Sequence, residues 1–376
     1  MKAPNDYSSY PLVATHQLIG AQVSLYTGKV RAYLDFKAIP YTETLATREV
    51  YRDVIVPRTG VRFIPVLISD DDIAVQDSTE IIKFLEARYP APSIHPEGPL
   101  QCWVALMLEA YADEWLVIPA MHYRWNVPEN RAFAIAEFGR LSAPDASASE
   151  QQIIGERLSG PFAGALPPLG IRSENLAAIE ASYLGFLADF ERHLAGQPFL
   201  LGTRPSIADF AFYGPLYAHL YRDPASGRSM CERAPGVARW VERMRAPQPR
   251  SGEFLADDLL PPTLEPMLAR MVQELIPVLA STQAALARIE QSALDAPLPR
   301  TLGKHEFEIG GVTSERAIYP FNLWRWQRAA DHYQTLPAEA RERARALLHR
   351  LGGSEWMTQP VSPRLVRKDN RLFAAP

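Results

Sequence analysis

A change of hydrophobic period near residue 90 constrains this chain more than any other feature. Before it, short apolar runs alternate with helical stretches. After it, strand signals vanish until about residue 305. Residues 16–23 read as a strand ending in Gly20-Ala21, and 27–36 as a helix with Val30, Tyr33 and Leu34 at helical spacing. Residues 39–45 read as a second strand, completing a unit of βαβ size. A short helix over 48–56 follows. The apolar run 63–68, the turn cluster 69–72 and the run 73–75 then make a β-hairpin. Asp77-Ser78 precedes a helix that carries Ile81, Ile82, Phe84 and Leu85 on one face and ends near Tyr89-Pro90. The order is β-α-β-α-β-β-α.

The rest reads as mainly helical. Helices are expected over 100–119, 175–194, 207–220 and 236–244. The stretch 142–170, rich in small residues, proline and glycine, reads as a loop with short helical pieces. Residues 246–252 are the clearest linker. A long amphipathic helix over 264–292, kinked at Pro277, should follow, then a small hairpin (305–309 and 312–318) around Gly310-Gly311 and closing helices over 323–336 and 338–351. A chain of 376 residues with this order divides into three units: 1–92, 93–250 and 251–376. The extension should pack back on the helical unit, because amphipathic helices need a surface to bury.

Composition excludes several function classes. A net charge of −4, with both signs mixed along the chain, gives no basic patch for nucleic acid. The two cysteines, Cys102 and Cys231, lie far apart, which argues against a disulfide scaffold or a metal site. Residues 1–10 are polar and do not read as a secretory signal. No apolar run reaches the ~20 residues needed to span a bilayer. No membrane association and a cytoplasmic setting are the expectation. Phosphate-loop, dinucleotide and zinc-protease motifs are missing from the sequence.

Three separated segments could build one site. Ser24 opens the helix that runs through Gly28-Lys29-Val30-Arg31. Ile64-Pro65-Val66-Leu67 enters the hairpin. Gln76-Asp77-Ser78 opens the next helix. A helix N-terminus presents unpaired N–H groups and partial positive charge, and a serine hydroxyl there can donate to a thiolate. Lowering a thiol from its ordinary pKa of ~8.5 by ~2 requires ~2.7 kcal/mol of preference for the anion, within reach of one charge-assisted hydrogen bond and a helix terminus. A proline in cis at position 65 would turn the Ile64 N–H and C=O outward for a peptide ligand to pair with. Asp77 and Ser78 could hold an α-amino and an α-carboxylate group. Each segment also has a plainer reading: Ser24 and Asp77-Ser78 as helix caps, Pro65 as the mark of a sheet edge.

Residues 17–90 resemble the N-terminal domain of glutathione transferases. SLYTGKVRAYLDFKAIPYTE is similar to the serine-type signature of the zeta-, phi- and theta-like classes. FIPVL resembles the family's cis-proline motif, and QDSTEIIKFLEARYP its E-S-x-A-I motif. FLLGTRPSIADFAFYGPL is similar to the buried capping box, with Ser206 as cap and Asp209 at the third helical position. The resemblance spans residues 10–244 and implies a thioredoxin-like domain, an all-helical domain and an additional C-terminal extension. It implies Ser24 as thiolate stabiliser, main-chain bonds from Ile64 beside Pro65, and Asp77 and Ser78 at the γ-glutamyl end of glutathione. It further implies no metal, a hydrophobic electrophile as second substrate, a detoxifying transferase and a homodimer. Leu25 and Tyr26 stand where the family often has proline or cysteine, which leaves Tyr26 and Thr27 as rival thiolate partners. Phe63 stands where a lysine is common, so the glycine carboxylate would need another partner, with Arg58 and Arg62 as candidates. Trp115, Tyr123 and Trp125 belong to an aromatic zone that reads either as core or as an apolar co-substrate pocket. The same site would serve another glutathione-dependent chemistry, such as ether or dehalogenative cleavage, isomerisation or peroxide reduction, and a binding or scaffold protein that kept the fold is the non-enzymatic alternative.

Overall fold

The computed structural model describes residues 15–245, 252–289 and 296–375. The polar segment 1–10, most of the expected linker (246–251) and the end of the expected 264–292 helix lie outside the described residues.

The chain opens with β1 (His16–Gly20), α1 (Leu25–Lys37) and β2 (Tyr41–Leu45). A helical stretch follows in three pieces, Arg48–Val50, Tyr51–Ile55 and Val56–Thr59, the middle one a π turn. Then come β3 (Val66–Ile68), β4 (Ala74–Gln76) and α2 (Ser78–Arg88). The sheet order is β2-β1-β3-β4, with β1 parallel to β2 and antiparallel to β3. Alternation along the strands sorts the core. Leu18 and Leu67 face α1 and α2, packing with Val30, Leu34, Ile81, Ile82 and Leu85. Ile19, Val66 and Ile68 face the other way, onto Ile55.

Everything from residue 99 to 286 among the described residues is helical or irregular. The helices are α3 (Pro99–Glu114), α4 (Val117–Asn126), α5 (Pro128–Ser142), α6 (Ala148–Ala163), α7 (Leu176–Leu194), α8 (Ile207–Pro215), α9 (Pro224–Arg233) and α10 (Pro235–Arg245). A π stretch, Leu216–Tyr221, continues α8 where an unbroken helix was expected; Pro215, lacking an N–H, lies at the junction. The expected capping box is present at α8. Asp209 accepts from the Ser206 N–H and hydroxyl (both 2.8 Å), and also from Leu200 N–H (3.0 Å) and Trp240 Nε1 (3.3 Å).

The loop expected over 142–170 is corrected: α6 occupies most of it. Ser147 and Glu150 form a capping box at its start. Gly155 there, and Gly139 just before it, serve packing. A Cβ at Gly139 would lie 2.0 Å from the Gln151 carbonyl oxygen, and one at Gly155 2.0 Å from that of Ile135, so α5 and α6 meet backbone to backbone.

The C-terminal part holds α11 (Glu265–Glu274) and α12 (Ile276–Leu286), broken next to Pro277 as expected. After them come the hairpin β5 (Lys304–Ile309) and β6 (Val312–Ala317), α13 (Pro320–Thr335) and α14 (Ala338–Leu351). A second hairpin, β7 (Arg364–Lys368) and β8 (Arg371–Ala375), was not expected. Asp369 and Asn370, both at positive φ, make its two-residue turn. The extension packs on the helical region, as expected: α11 lies against α7, and α13 and α14 against α3. Asp258 accepts from Leu100 N–H (2.9 Å) and Gln101 N–H (2.8 Å), capping α3 from 157 residues away. The extension also reaches the sheet unit, where Asn370 Nδ2 donates to the Thr59 carbonyl at 2.9 Å.

Candidate functional site

The three predicted segments converge where the N-termini of α1 and α2 meet the start of β3. Ser24 caps α1: its Oγ accepts from Thr27 N–H at 3.3 Å. That bond uses a lone pair, and the hydroxyl proton has no acceptor among the described residues, so Ser24, which is half-buried, remains able to donate. The backbone around it is pinned from behind. The Arg124 guanidinium donates to Val23 O (2.9 Å) and forms a two-pronged pair with Asp223 (2.8 Å for each bond), and Arg222 donates to Gln22 O (3.1 Å).

The rivals of Ser24 sit differently. Tyr26 donates its hydroxyl to the Asp113 carbonyl at 3.0 Å, and burial, followed by the nearby Glu114, raises the phenol well above its ordinary range. That phenol is a poor acid and its proton is committed. Thr27, in the first turn of α1, is fully buried, its Oγ1 accepting from Ala21 N–H at 3.4 Å.

The Ile64-Pro65 peptide is cis. Ile64 is half-buried, and its N–H and C=O make no hydrogen bond among the described residues. Asp77 N–H donates to Pro65 O at 3.3 Å, which joins the second segment to the third. Asp77 caps α2 through Oδ1, which accepts from Thr79 N–H (2.9 Å) and Glu80 N–H (3.4 Å). Ser78 is wholly buried, and its Oγ has no partner among the described residues. Arg58 is spent on Asp72, at 2.8 Å, while Arg62 is exposed.

Trp115 and Trp125 of the aromatic zone are core. Trp115, 1% exposed, meets Phe307 of β5 edge to face at 6.0 Å and lies 5.8 Å from the Arg316 guanidinium. Trp125, 4% exposed, stacks on Phe138 and Phe162. The reading of these two as walls of an open co-substrate pocket is therefore corrected. The extension hairpin covers Trp115, and α5 and α6 enclose Trp125. Tyr123 is half-buried against Tyr183 and His122. A cavity of roughly 500 Å³ on α10, lined by Tyr221, Ala238, Arg239, Glu242 and Arg243, shares no residue with the cleft.

Sequence reasoning missed a buried charge cluster that closes the cleft. α3 turns Glu109, Asp113 and Glu114 toward α1, α2 and α13. Lys29 of α1 bridges Glu109 and Asp113, at 2.7 Å to each. Arg325 of α13 donates to Asp77 Oδ2 (2.9 Å), Asp113 Oδ2 (2.8 Å) and Thr79 Oγ1 (2.6 Å). Its Nε lies 2.6 Å from Glu114 Oε1 without hydrogen-bond geometry, an ion pair by proximity only. The Tyr26 and Phe321 rings flank this guanidinium at 5.4 and 5.1 Å. Arg328 pairs with Glu109, and Arg367 donates to Gln76 Oε1 at 2.6 Å. Burial pushes the Glu114 carboxyl up to about 7, against the pull of Arg325. Burial would also raise Glu109, but Arg328 and Lys29 outweigh it and hold that carboxyl below its usual range. A signal for the cluster did exist: three acids at 109, 113 and 114 in an otherwise apolar helix require buried cations.

Among the described residues, no group of three or more His, Cys, Asp or Glu could hold a metal ion, and no helix is long and apolar enough to cross a membrane.

Residues 18–93 match the glutathione S-transferase N-terminal domain, and residues 173–243 match the glutathione S-transferase C-terminal domain. The two matches support a member of the glutathione S-transferase family with a thioredoxin-like domain, a mostly helical domain and an additional C-terminal region. Similar solved structures include a Tau class glutathione S-transferase from mango (20% identity, 68% of this chain, 96% of that chain, TM-score 0.40). A glutathione S-transferase from Rhodospirillum rubrum (18%, 66%, 97%, 0.41) and a β-etherase from Sphingobium (19%, 63%, 96%, 0.45) are also similar. A search of curated proteins found no match.

Proposed function

We propose that this protein is a glutathione-dependent transferase that ionises the glutathione thiol at Ser24 and joins it to a hydrophobic electrophile. The observation that carries the reading is the set of polar groups left unsatisfied where the three segments meet. The Ser24 proton, the Ile64 main chain and the buried Ser78 hydroxyl all lack partners among the described residues. Buried polar groups in folded proteins are ordinarily paired, and a γ-glutamyl peptide thiol offers a partner to each. Ser24 would donate to the sulfur, Ile64 beside Pro65 would pair with the cysteinyl unit in strand fashion, and Ser78 would bind the γ-glutamyl carboxylate. Asp77 would take the α-ammonium. In the covalent step the thiolate bonds to the electrophilic carbon as the leaving group departs with its electron pair. Proximity and the lowered pKa supply the rate. In this reading the units divide near residues 92 and 250, and the protein is a cytoplasmic homodimer with a detoxifying role.

One observation favours a second reading, a binding protein without turnover: Arg325 already holds Asp77. Calorimetric titration of glutathione into the purified protein tests both. Binding in the micromolar to low-millimolar range is expected. No binding up to ~10 mM, weaker than about −2.7 kcal/mol, would refute the glutathione site. Binding without turnover of any electrophile would favour the second reading.

A further inference from the structure

We propose that Arg325 is an internal stand-in for the γ-glutamyl ammonium, so that glutathione and α13 compete for Asp77. This rests on the glutathione reading above and concerns what controls access to that site.

The division of labour within the Asp77 carboxylate is the first argument. Oδ1 is committed to capping α2, while Oδ2 is the oxygen left over for a cation. Arg325 takes Oδ2, at 2.9 Å. The neighbouring Ser78 hydroxyl remains buried and unpartnered. The extension thus fills the ammonium half of the γ-glutamyl position and leaves the carboxylate half unsatisfied. A side chain serving packing alone would not divide the position this way.

Charge inventory is the second argument. Asp77, Glu109, Asp113 and Glu114 share the cluster with a single lysine, Lys29, from the preceding elements. Arg325 and Arg328 of α13 supply two cations paired directly with these acids, and Arg316 of β6 and Arg367 of β7 lie close enough to act on Glu114 and Asp77. Exchanging the guanidinium for a ligand ammonium keeps Asp77 paired, and Lys29 still holds Asp113 when Arg325 withdraws, so neither buried carboxylate is left without a cation. Glu114, already pushed up to about 7 by burial, can take a proton as Arg325 withdraws. Arg367 on Gln76 and Asn370 on Thr59 are the further ties that hold the extension over the site. A site that is competent only when Arg325 is displaced shows an apparent Kd weakened by the fraction of time it is open.

The test uses the full chain and two readouts. Hydrogen exchange is followed in α13, Pro320–Thr335, without ligand, with 10 mM glutathione, and with the glutaryl-Cys-Gly analogue that lacks the α-ammonium. Glutathione should speed exchange in this helix and the analogue should not. Calorimetry on Arg325→Met should give glutathione binding tighter by tenfold or more, with Arg325→Lys in between. Unchanged or slowed exchange with glutathione, or equal or weaker binding by Arg325→Met, overturns the proposal while leaving the glutathione site standing. Absence of glutathione binding by every form overturns both. Should Arg325→Met not fold, exchange in the wild-type chain decides alone.

Discussion

Replacing Lys29 by methionine tests the buried charge cluster. The side-chain length is nearly kept, so packing beneath α1 survives and the charge alone is lost. Nζ is fully buried and donates at 2.7 Å to both Glu109 and Asp113. Two hydrogen bonds to charged acceptors contribute about 1.5–3 kcal/mol each, and stranding one side of a buried ion pair costs about 3–5 kcal/mol. The two estimates agree on a loss of about 3–5 kcal/mol at neutral pH. The pH dependence has a definite sign. Glu109 is held below its usual range in the fold, by Arg328 and Lys29 acting against burial. Such a carboxyl contributes stability above its unfolded pKa of about 4.3, and the contribution is lost as pH falls through the folded value. The variant's deficit should therefore be largest at pH 7 and shrink toward pH 4, where its stranded carboxylates take up protons. Urea unfolding followed by circular dichroism measures this for the wild type, Lys29→Met, and Lys29→Met combined with Asp113→Asn. The double variant should recover at least about 1 kcal/mol, the range of coupling between residues in contact. A deficit below about 1 kcal/mol at pH 7, or one that ignores pH, would show that the cluster does not act as a buried ion network.

Ser24→Ala should raise the pKa of the bound glutathione thiol by about 1–2, the equivalent of one charge-assisted hydrogen bond. Ultraviolet titration of the thiolate measures it, and superimposable titrations would remove Ser24 from that role. Asp209→Ala should cost about 3–5 kcal/mol, because four donors converge on that carboxylate and lose their acceptor. A loss under 1 kcal/mol in chemical denaturation would contradict it. Glu114 titrates above its unfolded pKa, so its ionisation costs stability as pH climbs from about 4.5 to about 7. Relative to Glu114→Gln, the wild type should lose up to about 3 kcal/mol across that window, and parallel stability curves for the two proteins would refute the assignment.

What the sequence disclosed follows from the range of the forces involved. The first ninety residues were legible because strands and helices there are written in local period, turn and cap chemistry. Ser24 and Asp77 cap helices within three residues of themselves. The break at Pro277 and the box at Ser206 and Asp209 are equally local. α6 was misread because Gly155, a residue type that usually marks loops, here lets two backbones touch, and its partner Ile135 lies twenty residues away. The hairpin after residue 363 was missed because Asp369-Asn370 is a weaker turn signal than a pair containing glycine. Trp115 and Trp125 could not be divided between core and pocket, because what covers them, Phe307 for one and Phe162 for the other, is set by tertiary contact.

The buried acids of α3 tie these observations to the extension. Glu109, Asp113 and Glu114 could be explained as surface residues only if the extension were absent, and without it Lys29 would be the one cation paired with this group among the described residues up to 245. A two-domain chain ending near residue 245 would thus expose an apolar helix face together with four carboxylates around one lysine. Both deficits are made good by the same helix: Tyr333 packs against Trp103 of α3, and Arg325 and Arg328 bring charge. Hydrophobic burial fixes where α13 lies, and it is non-directional. The ion pairs fix its rotation, since turning the helix by one residue, about 100°, would carry Arg325 away from Asp77 and leave its guanidinium among the apolar side chains. The residue that sets the extension's register is therefore the one resting on the carboxylate that the glutathione reading assigns to the ligand.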